Sequence, residues 1–195
     1  MLDNPVIDFM LKRRSVLAAA MTEPGPDNAA LDAILRVATR VPDHGKLEPW
    51  RIQVLRKPAQ RALAEVYRQA FSSANPAATD AQIRAAETRL TRSPLLLVVS
   101  CRLRPEKFDK VPAIEQHLSA GAVCSHILIA AGALGYAAQW LTGGPAYDDA
   151  VKAALGLTAD TTIAGFVHLG SVTEPPRERP RPELGNIVSE WTPDT

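Results

Sequence analysis

From Leu118 to Leu141 the chain carries no formally charged residue. That stretch limits the architectures open to it. A membrane span is one answer, since about 20 apolar residues can cross a bilayer. Ser119, Ser125, His126, Gly132, Gly135 and Gln139 interrupt the run, however, and a lipid-facing span is richer in Leu and Ile. The pattern therefore predicts a fully buried helix followed by a strand, because a helix that is apolar all round belongs in a core. The remaining chain must then wrap that helix. At 195 residues, 46% hydrophobic and 22% charged, it has enough material for one domain with a substantial core. A formal net charge of +1 does not call for a nucleic acid or an anionic membrane as partner.

Local signals set out the other elements. Asn4 and Pro5 open a helix that runs to about Arg14, and its basic end suits a helix C-terminus. Asp27 begins a second helix with Leu31, Ile34, Leu35 and Ala38 on one stripe, and Pro42 stops it. Arg51 to Arg56 reads as a strand. Pro58 opens a third helix with Leu63, Val66, Tyr67 and Ala70 on one face. Ser72 to Thr79 reads as a loop, and Asp80 caps a helix to about Arg92. Leu95 to Cys101 is apolar without alternation, the pattern of a strand covered on both faces.

The long helix follows over about Ile114 to Leu134 and ends at Gly135, with a strand over Tyr136 to Leu141. Asp148 or Asp149 caps a short helix, and Thr162 to Leu169 forms another strand. These elements lack a βαβ alternation, so the class is α+β, in a single domain over residues 1–195 with an extended tail from about 171 to 195.

Several chemistries find no support. Cys101 and Cys124 form no CxxC pair, the four histidines are scattered, and no metal site is expected. The start, MLDNPVIDFMLKRRS, places acids early and bases late, the reverse of a secretory signal, so a cytoplasmic location is expected. GxGxxG is absent. His168 reads as a hydrogen-bonded core residue and Cys124 as inert core.

Three features remain, each with a bland alternative. Arg13-Arg14-Ser15 can grip a phosphate through forked donors and a hydroxyl, or form a solvated helix end. The loop Arg40-Val41-Pro42-Asp43-His44-Gly45-Lys46-Leu47-Glu48-Pro49-Trp50 can carry a site, or form a plain turn with Asp43 capping and Trp50 packing. Arg177, Arg179 and Arg181, spaced by two, can neutralise a phosphate or keep a Pro-rich tail solvated.

In order and spacing, RRS, RVPDHGKLEPWR, SAGAVCSHILIAAGALGYAAQWLTG and IAGFVHLGSVTEPPRERPRP resemble the nitroreductase family over nearly the whole chain, closest to its minimal-length bacterial NAD(P)H nitroreductase branch. The resemblance implies a central mixed or antiparallel sheet surrounded by helices, a homodimer, and FMN at the dimer interface. It assigns Arg13, Arg14 and Ser15 to the FMN phosphate and ribityl region. Arg40 and His44 would approach the flavin bound mainly by the partner. Trp140, Leu141 and Thr142 would line the isoalloxazine, while Arg179, helped by Arg181, would close on the phosphate. Ala130, Ala131, Gly132, Ala133, Leu134 and Gly135 would form a nicotinamide region.

The implied activity is a ping-pong transfer of hydride from NAD(P)H to nitroaromatic, quinone or related electrophilic acceptors. Flavin N5 would carry the hydride, so no catalytic side chain and no metal is implied. Leu141 departs from the polar or basic residue often found there, and Glu48 from a common Gln. Alternatives are another flavin chemistry on the same fold, a dehydrogenase or dehalogenase, or a non-enzymatic flavin-binding protein.

Overall fold

A computed structural model describes residues 3–174 and 176–193. Seven α-helices occur among them, besides short 3-10 turns: α1 (Pro5–Lys12), α2 (Asn28–Ala38), α3 (Lys57–Ala74), α4 (Asp80–Thr88), α5 (Ala113–Ala133), α6 (Gly144–Tyr147) and α7 (Asp149–Ala154). The strands are β1 (Trp50–Leu55), β2 (Leu95–Arg102), β3 (Ala137–Leu141) and β4 (Thr161–Gly170). They form one sheet in the order β1-β2-β4-β3 with every pair antiparallel, which settles the mixed-or-antiparallel alternative. The α+β class stands.

β2 is an interior strand, and none of Leu95–Cys101 exceeds 2% exposure. Its missing alternation follows from helices on both faces. Leu95, Leu97 and Val99 face α2 and α5, where Ile34, Ile127 and Val167 complete the core. Leu96 and Val98 point the other way, to Leu63, Tyr67, Leu90 and Phe166 among α3, α4, α6 and α7. Full burial of one such Leu or Ile is worth about 1.5–3 kcal/mol, so these two layers supply most of the driving force. The burial also pushes the thiol of Cys101 up to about 11 and that of Cys124 up to about 12, leaving both unreactive.

α5 is the helix that the uncharged stretch predicts, but it is not fully buried, because one side of it is left uncovered by the other described elements of the chain. Its buried side includes Ala120, Val123, Cys124, Ile127 and Ala131. A second side is apolar yet uncovered within one chain: Ile114 is 62% and Leu118 65% exposed. No helix among the described residues is long and apolar enough to cross a membrane. The helix stops in a Schellman turn, with Gly135 N donating to Gly132 O and Tyr136 N to Ala131 O, and Gly135 takes the positive φ that this turn requires. The chain then enters β3 directly.

Other boundaries shift by local chemistry. Asn4 and Asp27 cap α1 and α2 as expected. α3 continues through Ala74, so the expected loop from Ser72 is shorter; Ser72 and Ser73 are tolerated in a last turn anchored by the long apolar face. Thr79, not Asp80, caps α4, because it completes a reciprocal capping box with Gln82. α4 ends at Thr88 rather than Arg92. α6, headed by Pro145, is a short turn that periodicity could not reveal.

Candidate functional site

The segment after α1 runs along the edge strand β3. Val16 N donates to Ala138 O at 3.1 Å, and Ala18 N donates to Gln139 Oε1 at 2.6 Å. This zipper holds Arg13, Arg14 and Ser15 beside the end of α5. Gly132 lies under the Phe9 ring, which a side chain there would meet at 3.2 Å, and beside Arg13, whose Cγ would be 3.9 Å away. A cleft of about 240 Å³ between them is lined by Arg13, Arg14, Gly132, Gly135, Tyr136 and Pro176. It adjoins a second of about 500 Å³, lined by Ser15, Arg177 and Arg179. Val16, Val172 and Pro176 belong to both. The helix-end arginines and the tail arginines, far apart in sequence, thus share one region.

Its electrostatics are unbalanced. Arg14 has a side chain only 11% exposed and pairs with the Glu178 carboxylate of the tail. Nη1 of Arg14 also donates to the carbonyls of Leu11 and Arg13 at 2.9 and 2.7 Å. Burial, then the positive charges of Arg181 and Arg13, hold Arg14 below the usual guanidinium range. Arg13 Nη1 and Arg14 Nε are buried with no hydrogen-bond partner among the described residues. A buried donor on a cation left unpaired is costly. The arrangement calls for an oxyanion.

The central loop lies elsewhere. Asp43 accepts from Leu47 N at 3.2 Å and Glu48 N at 2.8 Å, while Trp50 packs against the α2–α5 core. Both parts of the plain-turn alternative are therefore present. Lys46 and Glu48 take φ of 53° and 48°, a strained pairing for residues with side chains. His44 opens that turn, and its side chain reaches α5, with Nδ1 2.7 Å from Glu115 Oε2, at a shallow cavity bounded by Leu118 and Ala122. Arg40 is exposed at the end of α2.

β3 divides its expected site residues between the two sheet faces. Trp140 lies on the α5 face, over Gly165 and near Gly121, and its Nε1 donates to Ala164 O at 3.0 Å. Leu141 points to the opposite face. With Thr142 it borders a cavity of about 370 Å³ whose other walls include Arg89, Arg92, Phe166 and His168. In the expected nicotinamide region, Ala130 and Ala131 are core residues, Ala133 and Leu134 are exposed, and Gly132 and Gly135 border the Arg13–Arg14 cleft.

Sequence reasoning missed Arg89 and Arg92. They stand three apart just before Pro94, a spacing that reads as an ordinary helix end. Arg89 Nη1 would be 3.1 Å from a side chain on Gly143, so that glycine, at φ +82°, admits the guanidinium to the β3 terminus. His168 is the hydrogen-bonded core histidine that was expected, with Nδ1 2.8 Å from Ser93 Oγ. Burial, helped by the positive charges of Arg92 and Lys57, pushes it down to about 4. That it also borders a cavity was not legible. No group of three or more potential metal ligands occurs among the described residues.

The chain and its fold are similar to known proteins. The nitroreductase family model matches residues 10–171. The chain is 31% identical over 165 residues to the Escherichia coli (strain K12) protein named "Putative NAD(P)H nitroreductase YdjA", spanning 85% of this chain and 87% of that one. A similarly named Haemophilus influenzae protein is 29% identical over 154 residues, with 79% and 82% covered. Among solved structures, a nitroreductase-like protein of Bacillus cereus superposes with a TM-score of 0.83 at 20% identity over 98% of each chain. A Bacteroides fragilis nitroreductase with bound FMN superposes with a TM-score of 0.72 at 21% identity, over 97% of this chain and 100% of that one.

Proposed function

The chain belongs to the nitroreductase family, and from that premise we propose that it is a cytoplasmic, homodimeric FMN-dependent oxidoreductase that takes electrons from NAD(P)H and reduces nitroaromatic, quinone or related electrophilic acceptors. The observation that carries this reading is the pair of buried, unpartnered guanidinium nitrogens, Arg13 Nη1 and Arg14 Nε. A phosphomonoester carries roughly two negative charges at neutral pH and three acceptor oxygens. Two forked donors and the Ser15 hydroxyl beside them suit that group. Arg177, Arg179 and Arg181 add positive charge from the tail, and the Glu178 carboxylate already engages Arg14 as an oxyanion does.

FMN, when bound, supplies hydride exchange at its ring N5, with donor and acceptor using the same place in turn. This chain's residues then have to bind, orient and exclude water. Arg13, Arg14, Ser15, Arg179 and Arg181 hold the phosphate end. Leu141 and Thr142 line the ring, and Arg89, free of any ion pair among the described residues, offers donors that stabilise charge on the reduced ring. Gly132 and Gly135 leave room beside the phosphate cleft for the nicotinamide donor.

Two chains are needed for the other half of the site. His44 is tied to Glu115 in the first turn of α5, whereas Arg13 packs on Gly132 in its last turn. Seventeen residues of helix separate them, about 25 Å at 1.5 Å per residue. One chain cannot bring both to one flavin. A second copy packed on the uncovered Ile114–Leu118 side of α5 can bring its own His44 and Arg40 toward this chain's cofactor, and the exposed apolar side chains there suit such a contact.

The test is an absorption spectrum of the purified protein, followed by anaerobic titration with NADH and NADPH and then by addition of a nitroaromatic or a quinone. The expected result is a yellow dimer whose visible flavin band bleaches with the reductant and returns with the acceptor. A colourless monomer that takes up no added FMN refutes the proposal.

A further inference from the structure

The cavity bounded by Arg89, Arg92, Leu141, Thr142, Phe166 and His168 has a hydrogen-bonding character that its chemistry fixes. The guanidiniums can only donate. The histidine is different, and its tautomer follows from its neighbours. Ser93 Oγ lies 2.8 Å from Leu95 O and 2.8 Å from His168 Nδ1. The carbonyl can only accept, and the serine hydroxyl has one proton. That proton therefore goes to Leu95 O, and Nδ1–H of His168 must donate to Ser93 Oγ. Nε2 is left bare, an acceptor.

Nε2 has no hydrogen-bond partner among the described residues, and it is not among the side-chain atoms sealed from solvent without one. With Nδ1 turned inward on Ser93, Nε2 is the polar atom that His168 brings to the cavity. Burial keeps the ring neutral, so Nε2 remains an acceptor at neutral pH. Among the side chains lining the cavity, His168 thus sets a fixed acceptor beside the two guanidinium donors, while the Thr142 hydroxyl can play either part.

That pattern complements an edge that reads acceptor, donor, acceptor. Building on the FMN reading above, we infer that His168 reads the pyrimidine edge of the flavin: its Nε2 accepts the hydrogen bond of the imide N–H at ring position N3, between two carbonyls that the neighbouring guanidiniums can serve. The Ser93–His168 pair is then a preset recognition element, with Ser93 as the positioning residue that fixes the tautomer. A histidine that only braces β4 against the β2 entrance would be indifferent to what stands at N3.

The experiment compares FMN with FMN methylated at N3, titrated into the flavin-free full chain. The wild type is expected to bind FMN at least tenfold more tightly than the methylated form. His168→Leu should weaken FMN by about that factor yet bind the methylated form no more weakly than the wild type does, so that discrimination collapses. Equal binding of both flavins by the wild type overturns the inference, as does a His168→Leu loss that is the same for both.

Should His168→Leu fail to fold, ¹⁵N NMR of the histidine-labelled wild type decides the matter. Nε2 should resonate as an unprotonated nitrogen and shift on binding FMN but not the methylated form; a protonated Nε2, or one unmoved by FMN, overturns the inference. A wild type that binds neither flavin refutes the FMN reading itself, an outcome distinct from equal binding of both.

Discussion

Lowering the pH should destabilise this protein through one side chain, His168. The unfolded histidine titrates at about 6.5, whereas the folded one is pushed down to about 4 by burial and by the charges of Arg92 and Lys57. Between those values the unfolded chain binds a proton that the folded chain refuses. The contribution of His168 to stability is therefore intact above about pH 6.5, falls as the pH drops toward 4, and levels off below it. Linkage gives a loss of about 2 kcal/mol by pH 5 and about 3 kcal/mol by pH 4.

The assay is urea unfolding of the flavin-free protein at fixed chain concentration, from about pH 7.5 down to about pH 5, with the non-titrating variant His168→Gln measured in parallel. Subtracting the two curves removes the carboxylates common to both. The wild type should lose about 2 kcal/mol more than the variant over that range. A difference that stays flat would show that the folded imidazole is not held neutral, and the tautomer argument would fall with it.

Other outcomes follow from the site and its scaffold. Arg13→Ala or Arg14→Ala should weaken FMN binding by about 1.5–3 kcal/mol, the scale of a hydrogen bond to a charged group; unchanged affinity by calorimetry would remove the phosphate assignment. His44→Ala should alter NAD(P)H-dependent turnover or flavin affinity while leaving the fold intact by circular dichroism, since the His44 side chain is exposed and, among the described residues, bonds only to Glu115. A methyl at Gly165 would run into the Trp140 indole, so Gly165→Ala should displace the ring, break its bond to Ala164 and cost about 1–3 kcal/mol, the usual range for overpacking. Tryptophan fluorescence and urea unfolding would register both effects.

Some of this was legible because it rests on short-range chemistry. Asn4 and Asp27 stand just before periodic runs and both cap here, and of Asp148 and Asp149 it is Asp148 that caps α7. The charge-free stretch, broken by polar and glycine residues, predicts a helix and strand packed into the chain rather than a membrane span, and α5 and β3 are that pair. The motifs RRS and RVPDHGKLEPW marked residues that do sit at cavities. Other features were hidden because they depend on pairing across the fold. Arg89 and Arg92 look like any helix-end bases until the α4–β2 turn brings them to the end of β3. Glu115, the partner of His44, lies 71 residues further along the chain.

The sequence by itself determined which segments contribute most to the core and where several of the helices begin, since apolar runs and caps are decided by a residue and its near neighbours. Only the tertiary structure decided which distant cations meet, that Trp140 and Leu141 face opposite sides of the sheet, and which nitrogen of His168 stays free. Those outcomes depend on strand order and register, and a one-residue slip in the β3–β4 pairing would turn every such side chain to the other face.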